Sequence, residues 1–285
     1  MSQEVLTSGP QYRAVVEYDG TELLGFQIQS QGRTVQGEIE NVLQRLAGTL
    51  VRVTGAGRTD AGVHASGQVI AFRAPWKHSL ADLHRAVNAL LPQDISFRSL
   101  DIAPAGFHPR FSAIKRCYRY QIGQWPGHSP LRSRYAWELG PDLDIAAMQR
   151  AAEYFIGSHD FATFGQPPQG EITIREIFSA DWRPQLPYLY FDLCANAFLR
   201  RMVRTITTAL VQVGQGQRPL EDIPALIAAR DRSLAPPPAP AKGLILTQVF
   251  YPADDELQRQ TPVNDMASQP LQTVRSKEID REKNT

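Results

Sequence analysis

The chain has 285 residues and a mass of 31.8 kDa, with 30 Lys and Arg against 29 Asp and Glu for a formal net charge of +1. With 42% hydrophobic and 21% charged residues, it has the composition of a soluble globule of one or two domains, long enough to bury a sizeable core. The near balance of charge argues against recognition by bulk positive charge, and the absence of an eighteen-residue apolar run or a leader-like start argues against membrane spanning and secretion.

Gln11 to Tyr18 alternates and is rich in β-formers, which predicts a strand ended by the turn Asp19-Gly20-Thr21. Thr34 stands as a cap before Val35, and Ile39, Val42, Leu43 and Leu46 have helical spacing, so a helix is expected over 35–47. Val51 to Gly55 and Gln68 to Arg73 read as strands flanking a glycine-rich stretch, Gly55 to Gly67, and Leu80 to Leu91 reads as a second helix ended by Pro92. Arg116 to Ile122 reads as a basic strand with Tyr118, Tyr120 and Ile122 on one face and Arg116 on the other. A helix over 145–156, paired strands over 172–181 and 188–195, and a long helix over 197–213 follow. In that last helix Phe198, Met202, Ile206 and Leu210 form the expected buried stripe, and Arg200 and Arg204 lie one turn apart. The proline-rich run Ala235 to Pro240 is a stiff connection into a strand over 242–251.

This order predicts an α+β fold of two similar lobes with antiparallel sheets, 1–110 and 111–252, meeting at a central cleft. Residues 253–285 carry five basic against seven acidic residues, a net −2, and lack periodicity, so a disordered tail is expected. The remaining body is therefore +3, and its basic residues are nearly all arginine, as in the whole chain with its 25 Arg and 5 Lys. A guanidinium matches phosphates and stacks on rings, although a GC-rich genome produces the same bias. Two cysteines, Cys117 and Cys194, are too few for a disulfide framework or a structural zinc site, which favours a reducing cytoplasm. The six histidines form no H-E-x-x-H arrangement, and no metal is expected.

Gly55-Ala56-Gly57-Arg58-Thr59-Asp60-Ala61-Gly62-Val63-His64-Ala65 lacks the G-K-[ST] ending of a phosphate loop and the third glycine of G-x-G-x-x-G. G-x-S-x-G occurs nowhere. What remains is Arg58 and Asp60 on a glycine-rich turn, where an aspartate is a common turn-former. Phe107-His108-Pro109-Arg110-Phe111-Ser112-Ala113 leads into Lys115, Arg116 and Arg119 interleaved with Tyr118 and Tyr120. Bases and aromatics so mixed suit RNA, since guanidinium groups take phosphates and rings stack on exposed bases, while a tyrosine on a sheet also serves plain packing.

Taken in order and spacing, several segments together resemble one family. Tyr18-Asp19-Gly20-Thr21, Gly25-Phe26-Gln27, Thr34-Val35-Gln36, Gly57 to Ala65, Asn88 to Ile95, Phe107 to Ala113, His159-Asp160-Phe161, Ala197 to Arg204 and Gly243-Leu244 look like the TruA-type tRNA pseudouridine synthases over about residues 11–251. The resemblance implies the pseudouridine synthase fold and a cytoplasmic homodimer that converts uridine to pseudouridine at positions 38, 39 and 40 of the tRNA anticodon stem-loop, without cofactor or metal. It places Asp60 at the catalytic position. Arg204 matches the basic partner of that carboxylate, Arg58 a contact to the flipped nucleotide, Tyr118 the ring stacked on the target base, and Leu244 the aliphatic residue beside the uracil. Charge and position add Arg110, Arg116, Arg119, Arg200 and Arg201 as candidates to hold stem phosphates. The rival readings are a non-catalytic RNA-binding protein of the same fold and a carboxylate glycosidase, which would need a second acid that no motif marks.

Overall fold

A computed structural model describes residues 9–167 and 170–252. Strand β1 (Gln11–Tyr18) turns Tyr12, Ala14, Val16 and Tyr18 into the core, as its alternation requires. Helix α1 (Val35–Ala47) begins where the Thr34 hydroxyl accepts from the Gly37 N–H and ends on Gly48, which takes the left-handed conformation at φ 66°. Strands β2 (Val53–Gly55) and β3 (His64–Arg73) flank the glycine-rich loop, β3 starting four residues earlier than its apolar pattern suggests. Helix α2 (Leu80–Leu90) and strand β4 (Ile95–Ile102) complete the first half. The second half holds β5 (Lys115–Gly123), β6 (Trp137–Glu138), α3 (Ile145–Glu153), β7 (Gly157–Asp160), β8 (Ile174–Gln185), β9 (Tyr188–Ala195), α4 (Met202–Gly214), α5 (Asp222–Ala229) and β10 (Leu244–Phe250).

The strands form a single sheet in the order β4-β1-β3-β10-β5-β9-β8-β7, with β2 beside β3 and β6 beside β5. The pairings are antiparallel except for β10 on β3 and β6 on β5. The fold is α+β with a mixed sheet. The two expected antiparallel groups are joined edge to edge by β10, the last strand in sequence, which pairs with β3 through Ile245↔His64 and with β5 through Leu246↔Tyr118. α1 packs on α2 over one half, and α3 packs on α4 and β8 over the other. One compact unit ends at Pro252; the expected disordered tail, 253–285, lies outside the described residues. Among those residues no helix is long and apolar enough to cross a membrane.

Three local expectations are corrected. The long helix starts at Met202, because Arg201 sits in the left-handed region at φ 66° and Arg200 is bridged to Gln166 as a strand-like residue. Arg200 and Arg204 therefore do not share a helical face, and the buried stripe is Met202, Ile206 and Leu210 without Phe198. Arg116 lies on the same face as Tyr118, two residues away, and is buried. Cys117 and Cys194 face each other across β5 and β9, 4.2 Å apart at Cα, and are joined as a disulfide.

Candidate active site

The glycine-rich loop between β2 and β3 is fastened at several points. Ala56 N–H donates to the Val69 carbonyl at 2.8 Å, Phe26 N–H to the Thr59 carbonyl at 3.1 Å, and the Gln68 amide to the Gly57 carbonyl at 2.9 Å. Buried Tyr18 shares a 2.9 Å hydrogen bond with the Thr59 hydroxyl. Two glycines are required by this packing. Gly62 has φ 77°, and Gly25 has φ 93° and lies so close to the loop that a Cβ would stand 2.6 Å from the Thr59 carbonyl oxygen. The effect is to present Asp60 on a backbone fixed from both sides.

The Asp60 side chain is 27% exposed. The Arg204 Nη1 lies 3.2 Å from its Oδ2, and the Arg200 Nε lies 3.9 Å from its Oδ1. Arg204 belongs to the first turn of α4 and is itself latched: its Nε donates to the Ala239 carbonyl at 2.6 Å, while Ala239 N–H donates to the Arg204 carbonyl at 3.1 Å. The proline-rich run thus carries a hydrogen-bonded clamp on the arginine, and the Tyr120 hydroxyl holds the Pro240 carbonyl at 2.7 Å. This guanidinium is pinned before it meets the carboxylate.

A cavity of about 930 Å³ opens over Asp60, and Arg58, Tyr118, Arg204 and Leu244 all line it. β5 supplies Tyr118, whose ring meets Phe198 edge-on at 5.1 Å. Burial pushes the Tyr118 hydroxyl pKa well above the ordinary tyrosine value, with smaller contributions from Tyr18 and Asp60 in the same direction, so the phenol stays protonated at neutral pH. Leu244, at the start of β10, is buried. Arg58 is exposed and has no ion pair among the described residues.

The five arginines expected to meet phosphate divide. Arg110, Arg200 and Arg201 line the cavity. Arg116 lines it too, but its guanidinium donates to the carbonyls of Ala56, Asn196 and Arg110 at 3.2, 2.8 and 2.6 Å, so it braces the wall. Arg119 points to the opposite face of the sheet and pairs with Asp192 at 2.8 Å. Sequence reasoning missed Gln68 and Arg175, and it took Arg200 as a phosphate contact without its approach to Asp60. Gln68 carried little signal, since its full burial is visible only in the fold and the same strand opens with His64 and Ser66. Arg200 carried none, because its position depends on the Arg201 backbone.

A family model described as tRNA pseudouridine synthase matches residues 14–112 and 151–252. The chain belongs to the tRNA pseudouridine synthase family. Its curated relatives include the tRNA pseudouridine synthase A of Geobacter sp. (strain M21), 40% identical over 242 residues that span 84% of this chain and 98% of that one. The corresponding protein of Geobacillus kaustophilus is 44% identical over 241 residues, 84% of this chain and 93% of that one. That of Roseiflexus castenholzii is 43% identical over 245 residues, covering 84% and 90%. Pseudouridine synthases are isomerases. Within the family model's two matched stretches lie Arg58 and Asp60, then Arg204 and Leu244; Tyr118 falls between them.

Proposed function

We propose that the protein isomerises uridine to pseudouridine in the anticodon stem-loop of tRNA, at positions 38, 39 and 40, with Asp60 as the nucleophile. The observation that carries this reading is the asymmetry of the Asp60 carboxylate, whose Oδ2 is held by a pinned Arg204 while Oδ1 has only the exposed Arg200 at 3.9 Å. One oxygen is oriented and the other is left for attack.

A uridine within a stem is reached only after extrusion, at a cost of a few kcal/mol. Arg58 contacts the flipped nucleotide, Tyr118 stacks on the uracil, and Leu244 packs against its edge. Oδ1 attacks C1′, and the N1–C1′ electron pair leaves with the uracil. The uracil turns in place, C5 bonds to C1′ and displaces the carboxylate, the C5 proton is lost, and N1 takes up a proton. Atoms and electrons are conserved, so the reaction calls for neither a redox cofactor nor a metal. Because Tyr118 stays protonated, the freed Asp60 carboxylate is the better placed acceptor for the C5 proton. The enzyme works as a homodimer whose two subunits both touch the tRNA.

Asp60→Asn keeps the size and the hydrogen bond from Arg204 but removes the nucleophile. Pseudouridine formation on tRNA transcripts falls below detection, while tRNA affinity and melting temperature stay near those of the unsubstituted protein. Asp60→Ala behaves alike. Full turnover in either variant overturns the proposal.

A further inference from the structure

Phe111 is 76% exposed and lines the same cavity as Asp60. A single exposed apolar residue is ordinary. What sets this one apart is that its backbone is held while its ring is left open. The His108 Nδ1 accepts from the N–H groups of both Arg110 and Phe111, at 3.1 and 3.2 Å. Ser112 closes the turn in both directions, its N–H donating to the His108 carbonyl at 2.9 Å and its hydroxyl accepting from the His108 N–H at 3.1 Å. The buried Arg116 fixes the Arg110 carbonyl at 2.6 Å, and the Tyr251 hydroxyl fixes the Pro109 carbonyl at 2.7 Å. The Phe111 ring touches the His108 ring at 4.3 Å and the Arg110 guanidinium at 5.6 Å, contacts that leave most of it facing solvent.

We infer that Phe111 is a stacking platform for a second nucleobase of the RNA, one that is unstacked beside the target uridine. The inference rests on the function proposed above and adds a contact to it. Every base offers a π-face, and a ring on a preorganised turn binds it with little ordering cost. The surroundings select a polyanion over a second copy of this chain, which would bring the same arginines against Arg110, Arg200 and Arg201. Arg175 also lines the cavity and adds a further positive charge beside the ring, where a phosphate flanking the stacked base would lie.

The test uses the full-length protein and unmodified tRNA transcripts. Phe111→Ala raises KM about five- to a hundredfold with kcat largely kept, and leaves the salt slope of binding unchanged because no phosphate contact is lost. Phe111→Trp restores KM, whereas Phe111→Leu, apolar but without a ring, does not. Unchanged KM in Phe111→Ala, full rescue by leucine, or a Phe111→Ala protein that sediments in a different oligomeric state each overturns the platform. If the unsubstituted protein forms no pseudouridine in these transcripts, the proposed function falls and the platform with it; an active parent with an indifferent Phe111→Ala refutes the platform alone.

Discussion

Asp60 meets two arginines that differ in kind. The Arg204 side chain is 14% exposed and tied to the Ala239 carbonyl, while that of Arg200 is 62% exposed and reaches only 3.9 Å from the carboxylate. An exposed pair of that length contributes little, since solvent screens it and side-chain freedom opposes it. Arg204 therefore orients the carboxylate, and small errors in such orientation are expensive in rate. Arg204→Gln is expected to lower kcat about a hundredfold and to destabilise the protein by about 1–2 kcal/mol through the Ala239 carbonyl it leaves unpaired. Arg204→Lys keeps the charge but cannot serve carboxylate and carbonyl with one planar fork, so it recovers only part of the rate. Arg200→Ala is expected to change kcat by less than tenfold. Single-turnover kinetics separate the three; an Arg200→Ala enzyme as slow as Arg204→Gln would show that the exposed arginine is the orienting one.

Among the elements, β3 is joined to its surroundings through His64, its first residue. The Gly20 N–H donates to Nδ1 at 3.0 Å and Nε2–H donates to the Lys242 carbonyl at 3.2 Å, a pattern that needs the neutral ring. Burial pushes the His64 pKa below its ordinary 6.5; the Asp19 carboxylate 3.2 Å away pulls upward but is outweighed. A depressed folded-state pKa means that the unfolded chain binds the proton more readily. Stability from this group is complete above pH 6.5 and drains away as pH falls from there through the folded value. Denaturant unfolding of the protein should show that decline, and His64→Gln, less stable at pH 7.5, should lack it; equal slopes below pH 6.5 would exclude His64 as the cause. Local signals explain which elements could be foreseen. The α1 boundaries were legible because Thr34 caps its own helix and the apolar spacing runs on to Leu46, all within a few residues. The start of α4 was not, because a left-handed arginine is held by tertiary contacts and no residue type advertises it. The place of β10 between β3 and β5 was equally hidden, since strand patterns show that a strand exists and not which edge it will fill. Asp60 alone read as a turn-former; only the ordered set of segments gave it a role, and its arginine lies 144 residues away in sequence.

For the molecule as a whole, a net charge of +1 says little about binding, because several arginines gather around one cavity. Arg58, Arg110, Arg175, Arg200 and Arg201 line one cavity, while Arg119 on the reverse is paired with Asp192, which Arg183 also contacts. Counterion release depends on the cations that meet phosphate and not on the total, with a slope of about 0.9 per contact on duplex DNA. Placement thus decides the salt dependence of tRNA binding. The Arg200→Ala, Arg201→Ala double variant should flatten the plot of log affinity against log salt by about one to two units, and Arg119→Ala should leave it unchanged although each removed arginine subtracts the same formal charge. A titration from low to physiological salt compares them directly. Equal flattening by Arg119→Ala would mean that the protein attracts RNA through its overall field, and that the gathering of arginines around the cavity has no part in recognition.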